Sequence, residues 1–252
     1  MTFLLPTKKI FDQAPVYFII PGGGWHSENR QSMIELSQIS VDALRKKGFA
    51  AVAPDYRVFL DGTHIEEAIS DCFDAARYIA HFADKFQIDK NRFVLSGHSS
   101  GGHLALMLAY APQDIFKKDS VLDDSFGVKA VMPMSPPAIL YEDGMPVTHN
   151  LRYIFDVFTG TSLSQRREAS PYDYVTPNCP PTLLSAGTSD RIVFCNSSEL
   201  LFEKLQKNNV QSELILSVGG GHCFEKMHEN IIPSPSMEDI QNKMTEFALE
   251  HI

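Results

Sequence analysis

The chain has 252 residues, of which 44% are hydrophobic and 21% are charged, a balance typical of a globular protein with a sizeable core. Its 31 acidic residues outnumber its 22 basic ones, and the net charge of −9 argues against nucleic acid or an anionic membrane surface as a partner. No stretch has the apolar length of a membrane span and the first residues show no leader pattern, so we expect no signal peptide and a cytoplasmic location.

The four cysteines lie far apart in the sequence, and none belongs to a C-x-x-C or another metal-binding spacing. This pattern favours four free thiols in a reducing compartment. They are Cys72, Cys179, Cys195 and Cys223. Cys223 follows His222 directly, and we interpret it as a residue that lines a pocket rather than as a nucleophile. We predict no cofactor and no metal.

Segments with the pattern of strands and helices alternate along the chain. The predicted strands span residues 16–20, 49–53, 92–96, 128–134, 181–186 and 213–218. The predicted helices span residues 30–47, 65–86, 102–110, 196–207 and 236–251. Repeated β–α units predict a single α/β domain over residues 1–252, with a mostly parallel sheet and helices on both faces. In such a sheet, ligands bind at the carboxyl ends of the strands.

The most informative motif is Gly97-His98-Ser99-Ser100-Gly101, which lies between a predicted strand and a predicted helix. A G-x-S-x-G motif in this setting is typical of the nucleophile elbow of an α/β-hydrolase, a turn so tight that glycines must flank the serine. The motif therefore predicts that Ser99 is a catalytic nucleophile, the alternative being an inert turn.

A serine nucleophile needs a base and an acid, which in this fold follow it in the order acid, then histidine. His222 follows the strand at 213–218 in a glycine-rich loop, whereas His228 and His251 lie further on and are predicted to be on the surface. Asp190 follows the strand at 181–186, and the aspartates at 156 and 173 are weaker candidates because they lie in an irregular segment. The predicted triad is thus Ser99, Asp190 and His222, with an ordinary loop aspartate as the alternative at 190.

The irregular segment at residues 135–176 interrupts the alternation of strands and helices and contains a helix-like core at 151–158. An excursion of this length in a compact domain is usually functional. We hypothesise that it forms a small partial lid over Ser99, and a surface crossover connection is the alternative.

The oxyanion of an acyl-transfer intermediate needs backbone N–H donors, one of which comes from the residue after the nucleophile, here Ser100. The other donors come from the loop after an earlier strand, and the strand at 16–20 ends in the glycine-rich sequence Pro21-Gly22-Gly23-Gly24-Trp25. Nucleotide-binding glycine loops have a different spacing, which is absent from this chain.

The chain contains four motifs that belong together: Gly-Gly-Gly-Trp25, Asp55-Tyr56-Arg57, the elbow continued as Gly-His-Leu-Ala, and Asp190 with Gly-His222. In these motifs the chain resembles the hormone-sensitive-lipase-like esterases. The related feruloyl-esterase and kynurenine-formamidase-like α/β-hydrolases share much of this pattern, which spans residues 16–224. The resemblance implies an α/β-hydrolase fold, the triad named above, and Gly23, Gly24 and Ser100 as oxyanion donors.

The chain departs from this family in two places. Pro21 stands where the family usually has a histidine that braces the oxyanion loop, and this puts the geometry of the loop in question. The N-terminus is too short for both leading strands of the fold, so residues 3–5 are predicted to be the tail of the second strand and the sheet to be reduced at that edge.

Three residues are predicted to contact substrate: Trp25, Met145 and Phe224. A core tryptophan is an equal alternative for Trp25. His98 and His103 flank the elbow and suggest a metal site, but a third ligand with a zinc-like spacing is missing, and we expect none.

The sequence thus predicts a serine hydrolase that cleaves small carboxylic esters through an acyl-enzyme. An arylformamidase or another amide or peptide hydrolase is the alternative among enzymes, because the triad does not select the leaving group. A non-catalytic binding protein on the same fold is the alternative outside enzymes. The expected partner is a small-molecule ester, and the oligomeric state is open, with a homodimer as one possibility.

Overall fold

The computed structural model describes residues 1–27, 29–117, 120–141, 156, 158, 160 and 162–252. The strands are β1 (Thr2–Leu4), β2 (Ala14–Ile20), β3 (Ala50–Ala53), β4 (Ile88–His98), β5 (Val128–Met134), β6 (Thr182–Gly187) and β7 (Ser212–Ser217). They form one sheet in the order β1-β3-β2-β4-β5-β6-β7. β1 is antiparallel to β3, and every other neighbouring pair is parallel. The predicted mostly parallel sheet is confirmed.

Helices occupy most of the predicted ranges, with different bounds in several places, and one further helix lies in the segment at 135–176 that was predicted to be irregular. They are α1 (Arg30–Leu36), α2 (Gln38–Lys46), α3 (Ile65–His81), α4 (Ala83–Phe86), α5 (Ser100–Tyr110), α6 (Leu163–Glu168), α7 (Asn196–Lys207) and α8 (Met237–Glu250). Short 3-10 turns lie at Phe59–Asp61 and Pro171–Tyr174. None of the helices in the described ranges is long and apolar enough to cross a membrane.

Two apolar cores cover the two faces of the sheet, as β2 illustrates. Val16, Phe18 and Ile20 point to one face, whereas Tyr17 and Ile19 point to the other, and all five are fully buried. Helices α3, α5 and α7 contribute to the first core, and helices α1, α2 and α8 contribute to the second. Burial on both faces explains why β2 is a continuous apolar run rather than an alternating one.

The prediction of one helix over residues 30–47 is wrong, because the helix is interrupted at Ser37. The side chain of Gln241, from α8, inserts at this point: its amide Nε2 donates to the carbonyl of Leu36 at 2.8 Å and its Oε1 accepts from the N–H of Ser40 at 3.1 Å. These are the two backbone groups that a continuous helix would pair with each other. The predicted helix at 65–86 is likewise interrupted, at Phe82.

The N-terminal edge of the sheet agrees with the prediction for residues 3–5. Thr2, Phe3 and Leu4 form β1 and pair with Ala53, Val52 and Ala51 of β3. The sheet therefore begins with a short antiparallel strand, and a second leading strand is not seen among the described residues.

The irregular segment is described at its two ends and at residues 156, 158 and 160, and most of its predicted helix-like core lies outside the described residues. The first end is anchored by the N–H groups of Ala138 and Leu140, which donate to the hydroxyls of Ser197 and Ser170, both at 2.9 Å. The returning chain is tied to the same place, since the N–H of Tyr172 donates to the carbonyl of Ala138 at 3.1 Å. The hypothesis of a lid stays a prediction.

Candidate active site

Ser99 lies between the last residue of β4 and the first residue of α5, which confirms the predicted strand–turn–helix setting. Its backbone has φ 56° and ψ −123°, a conformation that L-residues rarely adopt. The turn is held from the neighbouring strand, because the N–H of Ser99 donates to the carbonyl of Met134 at 2.8 Å. Ser99 is therefore presented at the carboxyl edge of the sheet in a strained conformation.

The glycines of the motif are required by close backbone contacts. A Cβ atom on Gly97 would lie 2.3 Å from the carbonyl oxygen of Gly101. A Cβ atom on Gly101 would lie 2.1 Å from the carbonyl oxygen of Ile20, at the end of β2. Any side chain at these positions would push the backbone apart, which is the tight turn that the motif predicts.

Asp190 and His222 are joined by a hydrogen bond of 2.7 Å between Oδ2 and Nδ1. The other carboxylate oxygen of Asp190 accepts from the N–H groups of Ile192 and Val193, at 2.8 and 3.0 Å. The carboxylate of Asp190 is fully buried, and these three hydrogen bonds fix its orientation. With Nδ1 as the donor to Asp190, Nε2 is the nitrogen of the neutral His222 ring that accepts a proton.

The loops that carry the acid and the histidine are hydrogen-bonded to each other. Thr188 and Ser189 donate their N–H groups to the carbonyls of Ser217 and Gly220, at 3.0 and 2.9 Å. A Cβ atom on Gly187 would lie 2.3 Å from the carbonyl of Gly220, so the close approach of the two loops requires a glycine there. This packing holds the side chains of Asp190 and His222 at hydrogen-bonding distance.

The backbone carbonyl of His222 is also hydrogen-bonded, which the sequence did not reveal. It accepts from Nε2 of His98 at 2.8 Å and from the hydroxyl of Ser135 at 3.0 Å. The rings of His98 and His222 lie 4.6 Å apart between centroids, so the residue before Ser99 contacts the histidine. Burial, and to a smaller extent the charge of His222, lowers the pKa of His98 to about 4.

The predicted oxyanion loop contains three consecutive residues with positive φ, a conformation that glycine adopts readily. Gly23 and Gly24 have φ values of 137° and 62°, and Trp25 has 54°. The carbonyl of Gly23 accepts from the N–H groups of His26 and Ser27, each at 3.2 Å, which closes the turn. The N–H groups of Gly23 and Gly24 have no acceptor within the described parts of the chain, so both are available to a ligand. The N–H of Ser100 is at the first position of α5, where helical N–H groups have no intrahelical partner.

A neighbouring segment braces this loop. The hydroxyl of Tyr56 donates to the carbonyl of Pro21 at 2.9 Å, and the N–H of Phe59 donates to the carbonyl of Trp25 at 2.8 Å. Two hydrogen bonds therefore tie the loop at both of its ends. Tyr56 belongs to the Asp-Tyr-Arg motif, but the sequence alone did not assign it this contact.

Trp25 is buried in an aromatic cluster. Its indole N–H donates to Nδ1 of His103 at 3.3 Å, and its ring packs against those of His103 and Phe158. Nε2 of His103 in turn donates to the carbonyl of Ala169 at 2.7 Å, and burial lowers the pKa of His103 to about 4. Both ring nitrogens of His103 are thus occupied by protein groups, and no trio of potential metal ligands is found in the described ranges.

The other two predicted substrate contacts are less informative. Phe224 is buried in the core on the opposite face of the sheet from Trp25, with a φ of 62°. Met145 lies outside the described residues. Direct contact of substrate with any of these three residues stays a prediction.

Several alternative candidates for the acid and the base make other contacts. Asp173 accepts from the hydroxyl of Tyr141 at 3.1 Å, and Asp156 forms an ion pair with Arg166. Nδ1 of His251, which directly follows α8, lies 2.7 Å from the carbonyl of Phe247 in the last turn of that helix. These contacts leave Asp190 and His222 as the pair that the structure brings together.

Comparisons with known proteins agree with this architecture. Esterase LipC of Mycobacterium tuberculosis is 27% identical over 234 residues, which cover 88% of this chain and 55% of that protein. The isoprenylcysteine alpha-carbonyl methylesterase ICME of Arabidopsis thaliana is 25% identical over 82% of this chain and 50% of its own length. The chain therefore spans about half the length of these relatives.

The fold is shared with solved structures of esterase 2 from Thermogutta terrifontis. The native form has a TM-score of 0.79 and 23% sequence identity over 98% of this chain and 86% of that one. The form phosphonylated by sarin has a TM-score of 0.80 and 22% identity over 98% of this chain and 88% of that one. The chain thus has the α/β-hydrolase fold. The BD-FAE family model matches residues 1–205, and the chain belongs to the BD-FAE family.

Proposed function

We propose that the protein is a serine hydrolase that cleaves small carboxylic esters through an acyl-enzyme. The observation that carries this proposal is the 2.7 Å hydrogen bond between the buried Asp190 and His222, at the same sheet edge as the strained turn of Ser99. An acid–histidine pair at the sheet edge that carries the serine of a nucleophile elbow is the arrangement expected to activate that hydroxyl. The esterase relatives support an ester as the substrate.

In the proposed reaction, Oγ of Ser99 attacks the ester carbonyl while Nε2 of His222 takes its proton. Asp190 stays ionised and stabilises the imidazolium through Nδ1–H. The N–H groups of Gly23, Gly24 and Ser100 hold the oxyanion of the tetrahedral intermediate. His222 then returns the proton to the leaving alcohol. In the second half of the reaction, His222 takes a proton from water, the water oxygen attacks the acyl-enzyme, and the proton passes to Oγ of Ser99 as the carboxylic acid leaves.

The first test is hydrolysis of p-nitrophenyl acetate and p-nitrophenyl butyrate by the wild type and by Ser99→Ala. We expect kcat/KM of the variant to fall by about 10⁴-fold or more, because the nucleophile is lost. Ser96→Ala is the matched control, since Ser96 is buried on β4 three residues before Ser99 and donates its hydroxyl to the carbonyl of Met132 at 2.9 Å. Retention of turnover by Ser99→Ala would exclude the proposed mechanism.

A second test uses a fluorophosphonate probe, which reacts with an activated serine rather than with any one substrate. The Thermogutta esterase, which has a similar fold, is phosphonylated by sarin, and we therefore expect the probe to attach to Ser99. Peptide mapping by mass spectrometry identifies the labelled residue. Labelling without turnover of the two esters would point to an amide substrate, and failure of both would favour a non-catalytic binding protein.

A further inference from the structure

The carbonyl oxygen of His222 accepts two side-chain hydrogen bonds from the centre of the sheet. Nε2 of His98 lies 2.8 Å from this oxygen, and the hydroxyl of Ser135 lies 3.0 Å from it. His98 is the last residue of β4, and Ser135 directly follows β5, the neighbouring strand. The loop that carries His222 is thereby fastened to the ends of two central strands.

Both donors are buried and lie against neighbouring backbone. Ser135 is 1% exposed with φ 46°, and its N–H donates to the carbonyl of Ser185 at 2.8 Å, which ties it to β6. His98 is buried between the elbow and the His222 loop, and a Cβ atom on Gly22 would lie 3.4 Å from its Nδ1. Because burial lowers its pKa to about 4, His98 is neutral at pH 7, and its donation to a carbonyl places the hydrogen on Nε2.

The loop that this contact fastens has backbone hydrogen bonds on either side of His222, but none of those in the described parts of the chain involves the peptide groups of His222 itself. His222 follows three glycines, Gly219, Gly220 and Gly221, and glycine backbones have the largest conformational freedom. The hydrogen bond to Asp190 fixes the ring nitrogen at one end of the residue but leaves its backbone to be positioned by other groups. Fixing the carbonyl as well defines where the Cα lies, and hence the direction in which Nε2 points.

We propose that His98 and Ser135 are positioning residues that orient His222 toward Ser99 by fixing its backbone carbonyl. This inference rests on the proposed function for the role of His222. Neither residue takes part in proton transfer itself. A displacement of a reacting group by about 1 Å costs on the order of a hundredfold in rate, so loss of either donor has a measurable kinetic effect.

The kinetic test compares His98→Leu, His98→Gln and Ser135→Ala in ester hydrolysis. We expect kcat of His98→Leu and of Ser135→Ala to fall about tenfold to a hundredfold, with little change in KM. His98→Gln should recover most of the loss, because its amide N–H extends to about the position of Nε2. Ser96→Ala is again the matched control, since it removes a buried hydroxyl-to-carbonyl hydrogen bond between the same two strands without touching His222.

A spectroscopic test separates this inference from the proposed function, since it needs no turnover. The proton on Nδ1 of His222, shared with Asp190, gives a resolved downfield NMR signal when the ring is held in place. We expect this signal to broaden or shift in His98→Leu and Ser135→Ala and to be retained in His98→Gln, Ser96→Ala and Ser99→Ala. An unchanged signal together with an unchanged kcat in His98→Leu would overturn the inference, as would equal losses in His98→Leu and His98→Gln. Turnover retained by Ser99→Ala would instead overturn the proposed function.

Discussion

At the scale of single residues, Tyr56 shows how the predicted oxyanion loop is held although Pro21 stands where similar esterases usually have a bracing histidine. The hydroxyl of Tyr56 is buried and donates to the carbonyl of Pro21 itself. A carbonyl is present whatever the side chain at position 21, so this brace tolerates proline. The departure at Pro21 therefore does not leave the loop unsupported.

Tyr56→Phe removes this hydrogen bond and keeps the ring. We expect the free energy of unfolding to fall by about 1 kcal/mol and kcat for p-nitrophenyl butyrate to fall about tenfold, because the N–H donors of the loop lose their alignment. Tyr17→Phe is the matched control, since it removes a buried contact of 3.2 Å with the hydroxyl of Ser40, in the core on the other face of the sheet. Equal values of kcat in the two variants would contradict the bracing role.

The residues of the site differ in how far the sequence predicts them. Ser99, Asp190 and His222 follow from their positions after strands and from their order along the chain, because parallel strands bring their carboxyl ends to one edge. His98 and Ser135 were not predicted as partners of His222. Each binds a backbone carbonyl, an acceptor that every residue carries, so no residue type at position 222 could have signalled the contact.

At the scale of secondary-structure elements, a contact from a distant part of the chain explains why the helix break at Ser37 was not predicted. The spacing of apolar residues over 30–47 continues through Ser37, and nothing in that segment marks a break. The break depends on Gln241, which is 201 residues away from Ser40 in the sequence and is buried. Periodicity reports which face of a segment is buried, whereas it does not report a side chain inserted from another helix.

Gln241→Ala removes the inserted amide. The carbonyl of Leu36 and the N–H of Ser40 then lose their partner, and we expect the free energy of unfolding to fall by about 2 kcal/mol. Asn242→Ala, at an exposed position of the same helix, should change it by less than about 0.5 kcal/mol. Urea unfolding followed by circular dichroism measures both. A negligible effect at 241 would mean that α1 and α2 join into one helix once the amide is gone.

At the scale of the whole molecule, two buried neutral histidines link folding to pH. His98 and His103 lie on either side of the elbow, and burial lowers the pKa of each from 6.5 to about 4. Between these pH values the unfolded chain binds a proton at each histidine that the folded protein does not bind. The free energy of unfolding therefore decreases as the pH falls from about 6.5 to about 4, and this contribution no longer changes below that range.

The slope of the free energy of unfolding against pH gives the difference in bound protons between the unfolded and the folded state, and a substitution assigns part of that slope to one residue. Each histidine contributes up to about 1.4 kcal/mol per pH unit, so His103→Gln should remove that amount from the slope between pH 4.5 and pH 6. Tyr17→Phe, which loses a buried hydroxyl contact but no titrating group in this range, should lower the stability at every pH and keep the wild-type slope. Urea midpoints across this range measure the slopes. If His103→Gln kept the wild-type slope, His103 would be protonated in the folded protein, and its Nδ1 would no longer accept the hydrogen bond from Trp25.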